Sequence, residues 1–184
     1  MQNIVVSNEI LVERLQSGDA GMIFKAIDQN RSFLGKWLPF VSYTSEVKDT
    51  EAFIQGILKT RDENRNEVFT IWYKGDFAGL IGFHNTDRVN EKTELGYWII
   101  EDMTEKGIVT KSGHSLIQIA FEKFGMNRIT IRCAVDNVAS ENVARRLGFK
   151  YEGIERNGER HSDQFLDLKV FGLLKSEFDS FEQN

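Results

Sequence analysis

The chain has 184 residues, 41% of them hydrophobic and 28% charged, with a formal net charge of −5. That is enough chain for one ordinary core, and residues 1–184 are expected to form a single domain. The lone cysteine excludes an intramolecular disulfide, and the acidic balance argues against a broad nucleic-acid footprint.

The first residues, Met1-Gln2-Asn3-Ile4-Val5-Val6, lack a basic segment and a long apolar run. No stretch approaches the length of a membrane span, so a cytoplasmic protein with no membrane or nucleic-acid partner is expected. Residues 9–15 alternate as a first strand. Asp19 then precedes a helix whose Met22, Ile23, Ala26 and Ile27 mark one buried face. After a loop over residues 30–43, Ser45 is expected to cap a second helix running to about Asn64, with Phe53, Ile54, Ile57 and Leu58 inward.

Strands follow at 68–73 and 77–83, joined by a tight turn with Gly75-Asp76. A third strand at 92–100 ends in a short polar loop. The next helix, 107–125, carries Leu116, Ile117, Ala120, Phe121 and Phe124 at helical spacing. The strand at 128–135 completes a βαβ unit, which requires parallel pairing. Its alternation places Cys133 on an apolar face with Ile129 and Ile131, as a small core residue. A short helix at 140–147 and strands near 149–155 and 165–173 end the chain. This order describes an α/β (α+β) chain with a mixed, mostly antiparallel twisted sheet and helices on both faces.

One junction stands out. The apolar strand Glu94-Leu95-Gly96-Tyr97-Trp98-Ile99-Ile100 runs into Thr104-Glu105-Lys106-Gly107-Ile108-Val109-Thr110, which opens a helix. The first amides of a helix have no intrahelical partner, and the dipole adds positive potential, so a phosphate suits such a place. Downstream stand Asn137-Val138-Ala139-Ser140 and Arg146-Leu147-Gly148-Phe149. Together these segments resemble the GNAT superfamily of N-acetyltransferases. Asn30-Arg31-Ser32-Phe33-Leu34-Gly35-Lys36-Trp37-Leu38-Pro39 is similar to a run in the ribosomal-protein N-terminal acetyltransferase branch, the RimJ/RimL type. The resemblance spans roughly residues 8–175 and implies the same GNAT fold.

It also implies a chemistry: acetyl moves directly from acetyl-CoA, as cosubstrate, to an amine. The pyrophosphate cradle would come from Thr104, Lys106, Gly107, Ile108, Val109 and Thr110. The family commonly has Gln/Arg-x-x-Gly-x-Gly/Ala here, so only the central glycine is kept and Val109 would crowd a phosphate. Trp98, Ile99 and Ile100 would lie on a bulged strand that splays from its parallel neighbour, one of their N–H groups facing the thioester oxygen. Asn137 would contact the pantetheine arm. In the ribosomal-protein branch the serine hydroxyl lies near the sulfur, so the resemblance implies that Ser140 protonates or stabilises the departing thiolate, and the absence of a tyrosine between Asn137 and Lys150 favours that variant. Read from the residues alone, Asn137 and Ser140 are equally a turn residue and a helix N-cap.

Two carboxylates compete as general base: Glu159, in the polar loop 156–161 where the branch resemblance places a catalytic glutamate, and Glu94, which could act through a water. Their other readings are a solvated loop charge for Glu159 and a cross-strand ion pair for Glu94. Thiols have pKa values of about 8.5 and α-amines of about 7.7–8.0, so both ends of the reaction need modest help, whereas a lysine near about 10.4 needs more. Trp37 and Phe40 are expected to line the acceptor cleft, with a core role open for Trp37. His84, His114 and His161 show no ligand spacing, and no metal is implied. The acceptor is expected to be a protein N-terminus. A small amine (polyamine, amino acid or antibiotic) and a non-catalytic acyl-CoA sensor are the alternatives. A homodimer stays open, because faces exposed for self-association look like core in sequence.

Overall fold

The computed structural model describes residues 3–62 and 66–181. Its framework is an eight-stranded sheet: β1 (Ile4–Val5), β2 (Ile10–Arg14), β3 (Glu67–Tyr73), β4 (Asp76–Asp87), β5 (Lys92–Ile99), β6 (Arg128–Ala134), β7 (Lys150–His161) and β8 (Gln164–Leu174). The spatial order is β1-β2-β3-β4-β5-β6-β8-β7. Only β5 and β6 pair in parallel, and the remaining neighbours are antiparallel. The mixed sheet expected from element order is therefore present, with its single parallel pair at the βαβ unit.

Helices cover both faces. On one side, α4 (Ile108–Glu122) lays Leu116, Ile117, Ala120 and Phe121 against Ile71, Ile81, Leu95 and Ile131, all buried. On the other, α1 (Ala20–Gln29) and α3 (Val47–Asp62) bring Ile23, Ile27 and Ile54 onto Leu80. Each face is apolar because successive strand residues alternate sides, so Tyr97 belongs to the α4 face and Trp98 to the α1/α3 face.

Several local expectations change. The 30–43 loop contains a one-turn helix, α2 (Arg31–Leu34), held by Arg31, which donates to the carbonyls of Val41 (2.9 Å) and Thr44 (2.6 Å). Capping of α3 is inverted: Asp49 Oδ2 accepts from Ser45 N–H (2.7 Å) and Glu46 N–H (3.0 Å), rather than Ser45 capping forward. The expected end of that helix at Asn64 lies outside the described residues. Phe53 is 45% exposed, because it sits at the margin of the face that Ile54 centres. The β3–β4 turn is Lys74-Gly75, both with positive φ as a two-residue hairpin demands.

The polar run 156–161 is not a loop but the second half of β7, whose turn comes at residues 162–163. Polarity misled there because this part of the strand is largely exposed and has no core face to alternate against. The C-terminal helix α6 (Lys175–Phe181), with Phe178 against Phe121 at 5.4 Å, was not foreseen. Among the described residues no helix is long and apolar enough to cross a membrane.

Candidate active site

The parallel pair β5–β6 stays in register only from Lys92–Arg128 to Glu94–Thr130. Beyond that point the strands part, while β5 continues to Ile99 and β6 to Ala134. The expected splay is therefore present, but the expected bulge in β5 is not. From Glu94 to Ile99 its register with β4 is unbroken, and the irregularity lies between His84 and Asp87.

Backbone direction follows from one bond. Ile100 N–H donates to Ala78 O (2.9 Å), so by antiparallel alternation Trp98 also bonds toward β4, while the N–H groups of Tyr97 and Ile99 face the gap. Of the three backbone positions expected to serve a ligand, Ile99 has the right orientation. Ile100 N–H is already spent.

A cavity of about 400 Å³ opens at this gap, between the end of β5, the turn into α4 and residues 137–146. Trp98, Ile99, Thr104, Gly107, Ile108, Val109, Thr110, Asn137 and Ser140 all line it. Gly107 holds φ +70°, the left-handed conformation that glycine adopts without strain, and turns the chain into α4. The first helical bond runs from Lys111 N–H to Gly107 O (3.0 Å), so the amides of Ile108, Val109 and Thr110, expected as the cradle, precede the ladder. The Thr104 hydroxyl is used locally, donating to Glu101 O (2.8 Å). The Lys106 ammonium turns away to Asp102 O (2.6 Å) and over the Tyr73 ring, and this residue does not line the cavity. Trp37 lines this cavity, whereas it was expected with Phe40 at the acceptor cleft.

Asn137, not Ser140, is the N-cap of α5 (Val138–Arg146): its Oδ1 accepts from Ser140 N–H at 3.1 Å. That frees the Ser140 hydroxyl, which lies 2.8 Å from the Tyr97 hydroxyl. Burial pushes the Tyr97 phenol well above its ordinary range despite its hydrogen bond to Ser140, so it stays protonated. Burial likewise pushes the neighbouring Cys133 thiol up. Tyr97 and Arg146, which also lines the cavity, were not singled out from sequence. No tyrosine lies between Asn137 and Lys150, and this one comes from β5. Arg146 was in view only as part of the R-L-G-F run.

On the other face of β5, a second cavity of about 460 Å³ lies between the sheet and α1/α3. Phe40 lines it, and Leu38, Tyr97 and Trp98 line both cavities. Glu94 stands near its edge in an ion-pair network with Arg132 Nε (2.9 Å) and His84 Nε2 (3.3 Å), and Arg132 Nη1 continues to Glu155 (3.0 Å). Burial alone would raise the Glu94 carboxyl, but His84 and Arg132 overcome it and hold it at about 2. Such a carboxylate is a weak base, and the ion-pair reading of Glu94 is the one realised. Glu159 differs. Burial raises its carboxyl, the Glu94 charge adds to this, and the charges of His161 and Arg132 only moderate it. It lines neither cavity, but the β7–β8 arm carrying it is tied to α2 by His161, which donates to Gly35 O at 2.9 Å.

The comparisons with known proteins agree with this geometry. Residues 9–150 match the acetyltransferase (GNAT) domain family. A Bacillus subtilis (strain 168) protein named "Putative ribosomal N-acetyltransferase YdaF" is 35% identical over 175 residues, covering 95% of this chain and 96% of that one. The ribosomal-protein-serine acetyltransferase of Escherichia coli (strain K12) is 25% identical, covering 94% and 97%. The solved microcin C7 self-immunity acetyltransferase MccE, in complex with acetyl-CoA and AMP, superposes with a TM-score of 0.90 at 26% identity, covering 94% of this chain and 96% of that one. With a splayed β5–β6 pair, a helix N-terminus at its mouth and relatives over nearly its whole length, this chain belongs to the GNAT acetyltransferase family and is an acetyl-CoA-dependent N-acetyltransferase.

Proposed function

We propose that the protein transfers acetyl directly from acetyl-CoA to the N-terminal α-amine of a protein, a ribosomal protein by the character of its relatives. The observation that carries the reading is the meeting of two cavities at Tyr97 and Trp98. A thioester reached through the gap would face an amine arriving from the α1/α3 side, with no enzyme-bound acyl group needed between them.

Each residue then has a task. The amides of Ile108, Val109 and Thr110, with Arg146, bind the anionic pyrophosphate, and Asn137 and the β5 backbone hold the pantetheine arm. The Ile99 N–H, facing the gap, hydrogen-bonds the thioester oxygen as negative charge grows there. Glu159 accepts the ammonium proton, directly or through water, so that the amine lone pair can form the C–N bond. As the C–S bond breaks, Ser140, steadied by Tyr97, gives its proton to sulfur and takes in its place the second proton shed by the nitrogen as it becomes an amide. A carboxylate of modestly raised pKa suits an α-amine, which is partly neutral near pH 7.7–8.0, about its own pKa, better than a lysine.

The test is thiol release with acetyl-CoA and unmodified ribosomal proteins or a panel of small amines, with mass spectrometry locating the acetyl group. Acetylated α-amines are expected. Glu159→Gln should lower kcat/KM on the order of 10²-fold and flatten the acid limb of its pH profile. That limb should lie above the ordinary carboxylate range, since the base form exists only above the raised pKa. Acetylation of small amines alone, or a full acid limb in Glu159→Gln, would count against these assignments. Arg146→Ala should raise the acetyl-CoA KM by about 5- to 10-fold with kcat nearly constant, and added salt should shrink the difference. An unchanged KM would remove Arg146 from the cradle.

A further inference from the structure

The second cavity is more than an approach route. Its walls are mostly apolar, with Ile23 and Ile27 from α1, Phe53 and Ile57 from α3 and Leu80 from the sheet, and Asp49, His84 and Tyr97 are its charged or titratable lining residues. Its floor is a facing pair of glycines, Gly82 on β4 and Gly96 on β5, directly opposite in register. Neither glycine needs positive φ. They keep the floor flat, because a Cβ on Gly96 would meet the His84 ring at 2.9 Å and one on Gly82 would strike the Glu67 carbonyl.

A second observation singles out a contact point. Thr50 lines this cavity and is only 2% exposed, yet its Oγ1 has no hydrogen-bond partner. Leaving a buried hydroxyl unpaired costs about 1–3 kcal/mol, so a turn of the Thr50 side chain toward a polar atom delivered by a ligand would be rewarded there. The cavity also adjoins the reaction centre. Trp98 borders both spaces, and the glycine floor lies two residues along β5, about 7 Å away by strand rise.

We propose that this cavity is the specificity subsite of the acceptor. It takes a bulky apolar group carried close to the amine, in a peptide the side chain of residue 1 or 2, and Thr50 Oγ1 makes the one directed hydrogen bond. The inference rests on the acetyl-transfer reading above and adds the chemistry of the group that the acceptor must bear. An acidic side chain at that position would be desolvated beside the Asp49 carboxylate, which also lines the cavity, and a cationic one would have to draw that carboxylate from the Ser45 and Glu46 amides.

The experiment compares kcat/KM for otherwise identical short peptides with Ala, Leu, Phe, Asp or Lys at residue 1 or at residue 2. The wild type, Ile57→Trp and Thr50→Val are compared, with acetyl-CoA affinity by calorimetry as the folding control. The wild type should favour Leu or Phe over Ala and Asp by about 10- to 100-fold at one of the two positions, which identifies the residue that enters. Ile57→Trp fills the cavity and should reduce that ratio to about threefold or less. Thr50→Val should lower kcat/KM for the favoured peptide by about 2- to 10-fold without lowering the melting temperature. Turnover with a flat or charge-favouring profile, or a ratio untouched by Ile57→Trp, would overturn the subsite and leave the acetyltransferase standing. If no peptide turns over, leucinamide is titrated by tryptophan fluorescence into the CoA-loaded protein. Saturable binding lost in Ile57→Trp would keep the apolar pocket and overturn its link to acetyl transfer, and no binding would overturn both.

Discussion

Ser140→Ala is expected to lower kcat about 10²-fold while leaving the acetyl-CoA KM within about threefold. A thiolate is a tolerable leaving group, so the loss should sit at the low end of the range for general acid catalysis. Tyr97→Phe should cost less, about 10-fold, because it removes only the partner that orients Ser140 at 2.8 Å. The two losses should not add in the double variant, since the hydroxyls act as one unit. A purely structural role is separable. The Asn137 cap uses the backbone N–H of Ser140, which alanine keeps, so the Ser140→Ala melting temperature should barely move. An unchanged kcat in stopped or steady-state assays, or fully additive losses, would remove this pair from the chemistry.

Arg132→Met should be the most damaging surface-proximal change for stability, by about 2–3 kcal/mol at pH 7, or a melting temperature lower by about 5–10 °C. Glu94 has only 13% of its side chain exposed, and Arg132 is 29% exposed, so removing the guanidinium leaves a mostly buried carboxylate with weaker support. The pH dependence has a definite sign. The folded Glu94 carboxyl sits at about 2, below its ordinary value of 4.5. Its contribution is therefore complete above about 4.5 and is lost as pH falls toward 2. Urea unfolding at pH 7 and pH 3.5 should show the gap between wild type and variant narrowing on the acid side. An equal gap at both pH values would mean that Arg132 acts by packing alone.

Much of the framework was legible because it is local. The stripe Leu116, Ile117, Ala120 and Phe121 fits only a helix with one buried face, and the 128–135 alternation fits only a half-buried strand. The strand-to-helix junction at Gly107 and the Asn137 turn were readable for the same reason, since caps and turns are short-range geometry. The limits are equally physical. Residues 156–161 lack apolar alternation, so their place in β7 depends on pairing with β8.

The sequence by itself determined the order of most elements, the two apolar faces, the helix N-terminus at the start of α4 and the turn that holds Asn137 and Ser140. Tertiary structure alone decided which of these meet. Tyr97 reaches Ser140 across 43 residues of chain, and Glu94 finds Arg132 across 38. Those two contacts give one serine a phenol partner and one carboxylate an ion pair. Trp37 and Phe40, three residues apart, face different cavities because the loop between them turns. Side-chain chemistry is written residue by residue, but protonation and reach depend on burial and on neighbours that only the folded sheet brings within a few ångströms.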